Sequence, residues 1–236
     1  MEVEYTMNTA KKMACVIALL ATTSTSVMAE SIDVRVIGTI TPTACTPSIT
    51  GGGTIDYGSI SPKSLKKDVF NYLEVKSVDF AITCDAPAKV ALQARAVKGA
   101  SAVGADGRLW SVARDIPLFG GVYDAHGLGL TSDNKGIGGF GLRFETNTII
   151  ADSNKVDSII QDGNTPWVKS PDGSLIKGAG IKRLYSWSKA GEVNPVAFTT
   201  LTGTLNVQAY INKTSELDLT KPVRLDGVTT LELVYL

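Results

Sequence analysis

The stretch TTLELVYL, residues 229–236, carries an alternating pattern that decides the fold class. Leu231, Leu233 and Tyr235 alternate with Glu232 and Val234, which is the period of a β-strand with one buried face. Most chains fray at their last residues because few contacts hold them. An apolar strand at this position therefore predicts a terminus that takes part in a sheet.

The same alternation recurs along the chain, while helical periodicity is scarce. Turn-forming stretches such as GADGRL, TSDNKG and SPDGSL separate the alternating segments. Many short strands without a βαβ rhythm favour an all-β antiparallel sandwich. Residues 99–190 are less regular and rich in Gly, Asp, Asn and Ser, so we expect long loops there within one domain. The alternating segments are 32–40, 78–84, 90–94, 140–144, 205–211 and 231–235.

The first 29 residues have the pattern of a secretory signal peptide. Lys11 and Lys12 precede an apolar run, and the run is followed by small polar residues that end in Val27-Met28-Ala29, which is similar to a cleavage site. The alternative, a membrane anchor, is disfavoured because the apolar run is too short to span a bilayer. We therefore expect residues 1–29 to be removed and the mature protein to be exported.

The mature chain would keep two of the three cysteines, Cys45 and Cys84, because Cys15 lies in the signal segment. An even number of cysteines in an exported protein favours one disulfide over two free buried thiols. Such a bridge would close a loop of about 40 residues and stabilise the fold by roughly 4 kcal/mol in the chain-entropy model.

Catalytic, metal and cofactor sites find little support in the sequence. His126 is the only histidine, so a zinc site or a Ser-His-Asp triad would have to use it, and a loop role is the simpler interpretation. The stretches GLGL and GIGGFG open no helix, so turns or close sheet contacts explain them better than phosphate binding. With 23 basic and 23 acidic residues, the chain has no charge excess for nucleic acid. We expect no enzyme; a hydrolase would need His126 or a carboxylate pair in a cleft.

Aromatic residues leave a carbohydrate-binding alternative open. In RLYSWS, Tyr185 and Trp187 share one strand face, and together with Trp110 and Trp167 they could stack on sugar rings. The same residues would serve equally well in a core, since aromatic side chains favour strands. A secreted or periplasmic lectin-like sandwich that binds a host or surface glycan is therefore the second functional hypothesis.

Both ends of the chain resemble the pilin subunits of chaperone–usher fimbriae in Gram-negative bacteria. The resemblance is carried by VRVIGTITPTAC at 34–45, by the second cysteine Cys84, and by TLELVYL at 230–236 with its penultimate Tyr235. The middle stretch HGLGLTSDNKGIGGFGLRF is similar to domain-of-unknown-function family 1120, a branch described as β-fimbriae major subunits.

The resemblance implies that residues 41–236 form an immunoglobulin-like, pilin-type sandwich without its last strand, which leaves an apolar groove beside a sheet edge. Residues 30–40 would be a donor strand for the groove of the next subunit, and a periplasmic chaperone would first occupy that groove. The donor residues would be Ile32, Val34, Val36, Gly38 and Ile40. The residues that border the subunit's own groove and meet the chaperone would be Leu231, Leu233, Tyr235 and Leu236.

The function expected from this resemblance is structural. The chain would be a fimbrial subunit for cell adhesion that crosses the periplasm with a chaperone, reaches an outer-membrane usher and polymerises with neighbouring subunits at the cell surface. Ordinary edge or core strands of a complete sandwich remain the alternative for both terminal strands. The chain is longer than a common pilin, and the extra length falls in the irregular middle. Because the donor-like strand comes first, a shaft or adaptor subunit fits better than a two-domain tip adhesin.

Overall fold

A computed structural model describes residues 35–38, 43–178 and 180–236. The chain divides into two units, residues 1–40 and residues 41–236. The second unit contains fifteen described strands and three short 3-10 helices, at Thr50–Gly53, Pro62–Ser64 and Thr214–Glu216. No helix in these described ranges is long and apolar enough to cross a membrane. The strands are β1 Cys45–Ile49, β2 Asn71–Tyr72, β3 Lys76–Ala88, β4 Val90–Ala96, β5 Ala102–Val103, β6 Leu109–Trp110, β7 Ala113–Leu118, β8 Gly121–Gly127, β9 Gly138–Phe144, β10 Ile150–Ala151, β11 Asn154–Asp162, β12 Val168–Lys169, β13 Arg183–Lys189, β14 Phe198–Ile211 and β15 Thr229–Tyr235.

The strands form an open sandwich of two sheets. In the first sheet β1 pairs with β3, β3 with β14, β14 with β9, and β9 with β8. In the second sheet β15 pairs with β4, β4 with β13, and β13 with β11. The short strand β10 pairs with both β11 and β14, so hydrogen bonds connect the sheets along one side. The predicted all-β, immunoglobulin-like sandwich is confirmed.

Aromatic side chains fill the space between the two sheets. The ring of Phe144 on β9 lies 5.3 Å from that of Tyr185 and 6.0 Å from that of Trp187, both on β13. Phe80 on β3 contacts Phe144 edge to face at 5.1 Å. Tyr185 and Trp187 have no exposed surface at all. The prediction that these two form a sugar-stacking platform is therefore wrong, because the strand face they share is covered by the other sheet.

The middle of the chain is more regular than its composition indicates. Residues 99–190, expected to form long loops, contain the nine strands β5–β13. Two of them, β11 and β13, are central strands of the second sheet. Several others have only two residues, and turns rich in Gly, Asp and Asn separate them, so no local window shows a clear period.

Strands β5 and β7 and residues 121–125 of β8 build a third layer on the outer face of the first sheet, while His126 and Gly127 of β8 pair with β9 in that sheet. Tyr210 of β14 belongs to this layer's apolar cluster, whereas its neighbour Ala209 belongs to the main core. The Tyr210 hydroxyl donates to the carbonyl of Val103 on β5 at 2.6 Å. Ile116 and Leu118 of β7 are fully buried in the cluster. Residues 102–125 therefore cover the face of the first sheet that points away from the core.

Candidate functional site

The sandwich is open on the side opposite β10. Within the described residues, β15 pairs only with β4 and β1 pairs only with β3. Each of these two strands therefore presents one edge without a neighbouring strand. Unpaired edges are places where another chain can add a strand, so a monomer usually covers them.

A large groove lies between β1 and β15 and reaches into the sandwich. Its volume is about 1540 Å³, and its floor is apolar. Charged residues that line it, such as Asp56, Lys221 and Arg224, are exposed at its rim. An apolar floor below a charged rim fits an extended segment with one apolar face. The floor includes Val78 and Phe80 of β3, Leu142 of β9, and Leu205 and Val207 of β14.

One rim of the groove is the segment 54–60, which follows β1. The chain leaves β1 through Gly51, Gly52 and Gly53, whose φ values of 69°, 64° and 78° suit glycine. The Tyr57 hydroxyl then donates to Val207 O at 3.3 Å and accepts from the Ala209 N–H at 3.2 Å. These two hydrogen bonds tie the segment 54–60 to the backbone of β14. Burial raises the pKa of Tyr57, so the hydroxyl keeps the proton that it donates.

The other rim is the segment 217–228, which leads into β15. Leu217, Leu219, Val223 and Leu225 alternate with polar residues and line the groove. Their alternation resembles a strand, yet no strand is present between the 3-10 helix Thr214–Glu216 and β15. Sequence reasoning missed both rims, although this alternation was a signal for one of them.

The start of β15 is held by a buried histidine. The Nδ1 atom of His126, on β8, lies 2.7 Å from the Thr229 hydroxyl oxygen. Asp226, just before the strand, donates its N–H to Leu128 O at 3.0 Å. Burial lowers the pKa of His126 to about 4, so its ring is neutral at pH 7. His126 is a strand residue with a structural hydrogen bond, not the loop residue that its sequence surroundings indicate.

The end of β15 reaches across to β1. The Cys45 N–H donates to the Tyr235 hydroxyl oxygen at 2.7 Å. Cys45 also lies opposite Cys84 of β3, and the two form the predicted disulfide. The disulfide prediction is confirmed, and the bridge ties the free-edge strand β1 to the sheet.

The other predicted groove residues take different positions along β15. Leu231 lines the groove, and Leu233 packs against the core with part of its surface exposed. Tyr235 and Leu236 are about half exposed. Their proposed contacts with a chaperone stay predictions.

The predicted donor segment is only partly described. Val36 is 92 % exposed, and Gly38 has no atom near the position of a Cβ. Ile32, Val34 and Ile40 lie outside the described residues. The donor role of all five residues stays a prediction.

The remaining candidates do not form a shared site. Trp110 is 46 % exposed on β6, which pairs with β5, and its indole N–H donates to Asp106 at 3.3 Å. Trp167 is half-buried just before β12. In the described part of the chain, no group of three or more His, Cys, Asp or Glu residues is arranged to hold a metal ion.

Comparisons with known proteins place this arrangement in a family. The family model "Protein of unknown function (DUF1120)" matches residues 34–141. Protein GltF of Escherichia coli is 32 % identical over 94 % of this chain and 96 % of its own length. The uncharacterized protein YhcF of Escherichia coli is 28 % identical over 98 % of this chain and 100 % of its own length. No solved structure matches the chain. This chain therefore belongs to the DUF1120 family, and its similarity to GltF extends over nearly the whole of both chains.

Proposed function

We propose that this protein is a structural subunit of a surface fimbria and that it polymerises by donor-strand exchange. The observation that carries the proposal is the apolar groove between the unpaired edges of β1 and β15. A finished monomer would leave apolar floor residues and backbone groups facing water there, which favours aggregation. A strand supplied by another chain would cover both.

The dimensions and chemistry of the groove suit such a strand. Strand β15 has seven residues, so its edge offers a pairing length of about 23 Å at 3.3 Å per residue. Residues 32–40 carry apolar side chains at alternate positions, with Gly38 interrupting them. One face of such a strand would lie on the apolar floor, while Asp33 and Arg35 would face outward toward the charged rim.

A chaperone, an usher and neighbouring subunits are the partners that this function requires. The signal-like residues 1–29 would direct the chain to the periplasm, and a chaperone would occupy the groove until an outer-membrane usher joins subunits. The disulfide Cys45–Cys84 would hold β1 in place while the groove waits for its strand. The third layer covers the outer face of the first sheet and leaves the groove side accessible.

The test uses the donor segment with a matched control. Val34→Ser/Val36→Ser changes its apolar face, and Asp33→Ser/Arg35→Ser changes its polar face. Each variant is expressed with its chaperone and usher, and fibres are counted by electron microscopy. We expect the first variant to leave chaperone-bound subunits in normal amounts but no fibres, and the second to polymerise. Fibres of normal length from the first variant would refute the donor role.

A further inference from the structure

The backbone groups of β15 point alternately to β4 and to the open side. The Val97 N–H donates to Val228 O at 3.4 Å, and the Leu236 N–H donates to Lys89 O at 3.0 Å. In an antiparallel pair, bonded residues alternate with residues whose backbone groups face away. Even-numbered residues of β15 therefore bond to β4. The open edge, here called the β15 edge, consists of the N–H and C=O groups of Thr229, Leu231, Leu233 and Tyr235.

Strand β1 likewise presents alternate backbone groups to the open side. The Asp85 N–H donates to Ala44 O at 3.0 Å, so even-numbered residues of β1 bond to β3. The open edge of this strand, here called the β1 edge, consists of the backbone groups of Cys45, Pro47 and Ile49. The Cys45 N–H already donates to the Tyr235 hydroxyl. Pro47 has no N–H. Ile49 is thus the one remaining donor on the β1 edge in the described structure.

We propose that Tyr235 and Pro47 prevent pairing along the β1 edge, so that a strand in the groove forms its backbone hydrogen bonds along the β15 edge alone. This inference rests on the proposed function. A paired strand needs a donor opposite each of its inward carbonyl groups, and a buried carbonyl group without a donor is unfavourable. The β15 edge supplies donors at Thr229, Leu231 and Leu233 before Tyr235 is reached, whereas the β1 edge supplies one.

Tyr235 also determines where the groove ends. The groove is lined by Pro47 of β1 and Leu231 of β15, while Tyr235 and Cys45 lie beyond these residues along the two strands. The hydrogen bond between them joins the two edges at that end. An incoming strand therefore stops before Tyr235, which fixes its register at one end.

Amide hydrogen exchange measured by NMR tests the inference on the mature wild-type chain. Spectra are recorded alone and with a synthetic peptide of residues 30–40. We expect exchange at Leu231 and Leu233 to slow by about tenfold or more, because their N–H groups become paired, while exchange at Ile49 stays within about twofold. Slowing at Ile49 equal to that at Leu233 would overturn the inference and leave the proposed function intact. Slowing at none of these amides would overturn both.

A variant that restores the missing donors provides a second test. Pro47→Ala/Tyr235→Phe returns an N–H at position 47 and frees the Cys45 N–H. We expect the peptide to slow exchange at Cys45 and Ile49 in this variant and to dissociate more slowly, because it now pairs on both sides. Tyr72→Phe is the control, since Tyr72 is an exposed tyrosine on β2 away from the groove. If the peptide slowed amide exchange in β1 of the variant no more than in wild type, the proposed role of Tyr235 and Pro47 would be contradicted.

Discussion

At the residue scale, burial of His126 connects the stability of the fold to pH. The folded state lowers the pKa of its ring to about 4, whereas the unfolded chain has the ordinary value near 6.5. Between these values the unfolded chain binds a proton and the folded chain does not. The free energy of unfolding therefore falls as pH decreases through this window, by roughly 3 kcal/mol in total.

Replacing His126 by asparagine tests this dependence. We expect His126→Asn to reduce stability at pH 7, because the ring packs edge to face against Phe140. The free energy of unfolding of the variant should change much less between pH 6.5 and pH 4 than that of wild type. Urea unfolding at pH 7, 5.5 and 4.5 measures both quantities. Parallel pH curves for the two proteins would show that another group is responsible.

A second residue-scale feature is the ion pair between Arg183 and Asp162. The two residues lie opposite each other on β13 and β11, and two N–O distances are both 2.7 Å. Hydrogen bonds from Arg183 hold the pKa of Asp162 below its usual range. The pair therefore stabilises the fold above the unfolded-state pKa of about 4, and this contribution is lost as pH falls through the lower folded-state value.

We expect Asp162→Asn to lower the free energy of unfolding by about 2 kcal/mol at pH 7, since it removes charge-assisted hydrogen bonds from a largely buried pair. The difference from wild type should begin to shrink below about pH 4, where Asp162 of the unfolded wild-type chain binds a proton, and shrink further as pH falls toward the lower pKa of the folded state. Glu74→Gln, in the exposed pair with Lys76, is the control and should leave the urea midpoint unchanged. Equal effects of the two substitutions would mean that burial of the pair is unimportant.

At the element scale, β9 depends on glycine where the third layer approaches it. A Cβ on Gly139 would lie 2.7 Å from His126 O and 2.6 Å from the Tyr210 hydroxyl oxygen. These atoms belong to β8 and β14, which flank β9, so they cannot move away independently. The glycines of GIGGFG thus permit close sheet contacts.

We expect Gly139→Ala to destabilise the protein by about 3 kcal/mol, near the upper end for overpacked cores. Gly203→Ala on β14 is the comparison. There the nearest atom to a Cβ is Ile149 Cγ1 at 3.1 Å, on a side chain that can shift. Thermal unfolding of both variants shows which substitution destabilises the protein more. A smaller loss for Gly139→Ala than for Gly203→Ala would contradict the proposed rigidity.

Substitutions on the two faces of the first sheet should affect peptide binding differently. Val78 of β3 lines the groove and is half-buried, whereas Thr202 of β14 is exposed on the outer face. We expect Val78→Asp to abolish binding of the 30–40 peptide, because a carboxylate on the floor would be buried without a partner. Thr202→Asp should bind the peptide normally. Fluorescence anisotropy with a labelled peptide measures both affinities, and equal affinities would exclude the groove floor as the binding surface.

At the scale of the whole molecule, the disulfide compensates for the open side of the sandwich. It closes a loop of 39 residues in sequence separation and joins β1 to β3. We expect Cys45→Ser/Cys84→Ser to lower the free energy of unfolding by about 4 kcal/mol, chiefly by freeing the unfolded chain. Limited proteolysis should then cut within residues 45–62. Resistance of this segment equal to that of wild type would mean that β1 stays in place without the bridge.

Several parts of this structure could be predicted from the sequence because they depend on local patterns. The alternating segments at 78–84, 90–94, 140–144, 205–211 and 231–235 lie within β3, β4, β9, β14 and β15. Period-two alternation reports on a strand with one buried face, whatever covers that face. The two cysteines outside the expected signal segment, residues 1–29, likewise left one intramolecular pairing, and the structure contains it.

The tertiary structure alone decided which face of each strand is buried and which edges are unpaired. The alternation of Tyr185 and Trp187 looks the same whether their face meets solvent or another sheet, and only the packing of β9 against β13 buries them. The groove arises because β1 and β15, nearly two hundred residues apart, lie on the same open side. Sequence patterns describe one strand at a time, whereas an edge or a groove is a property of how strands are arranged around it.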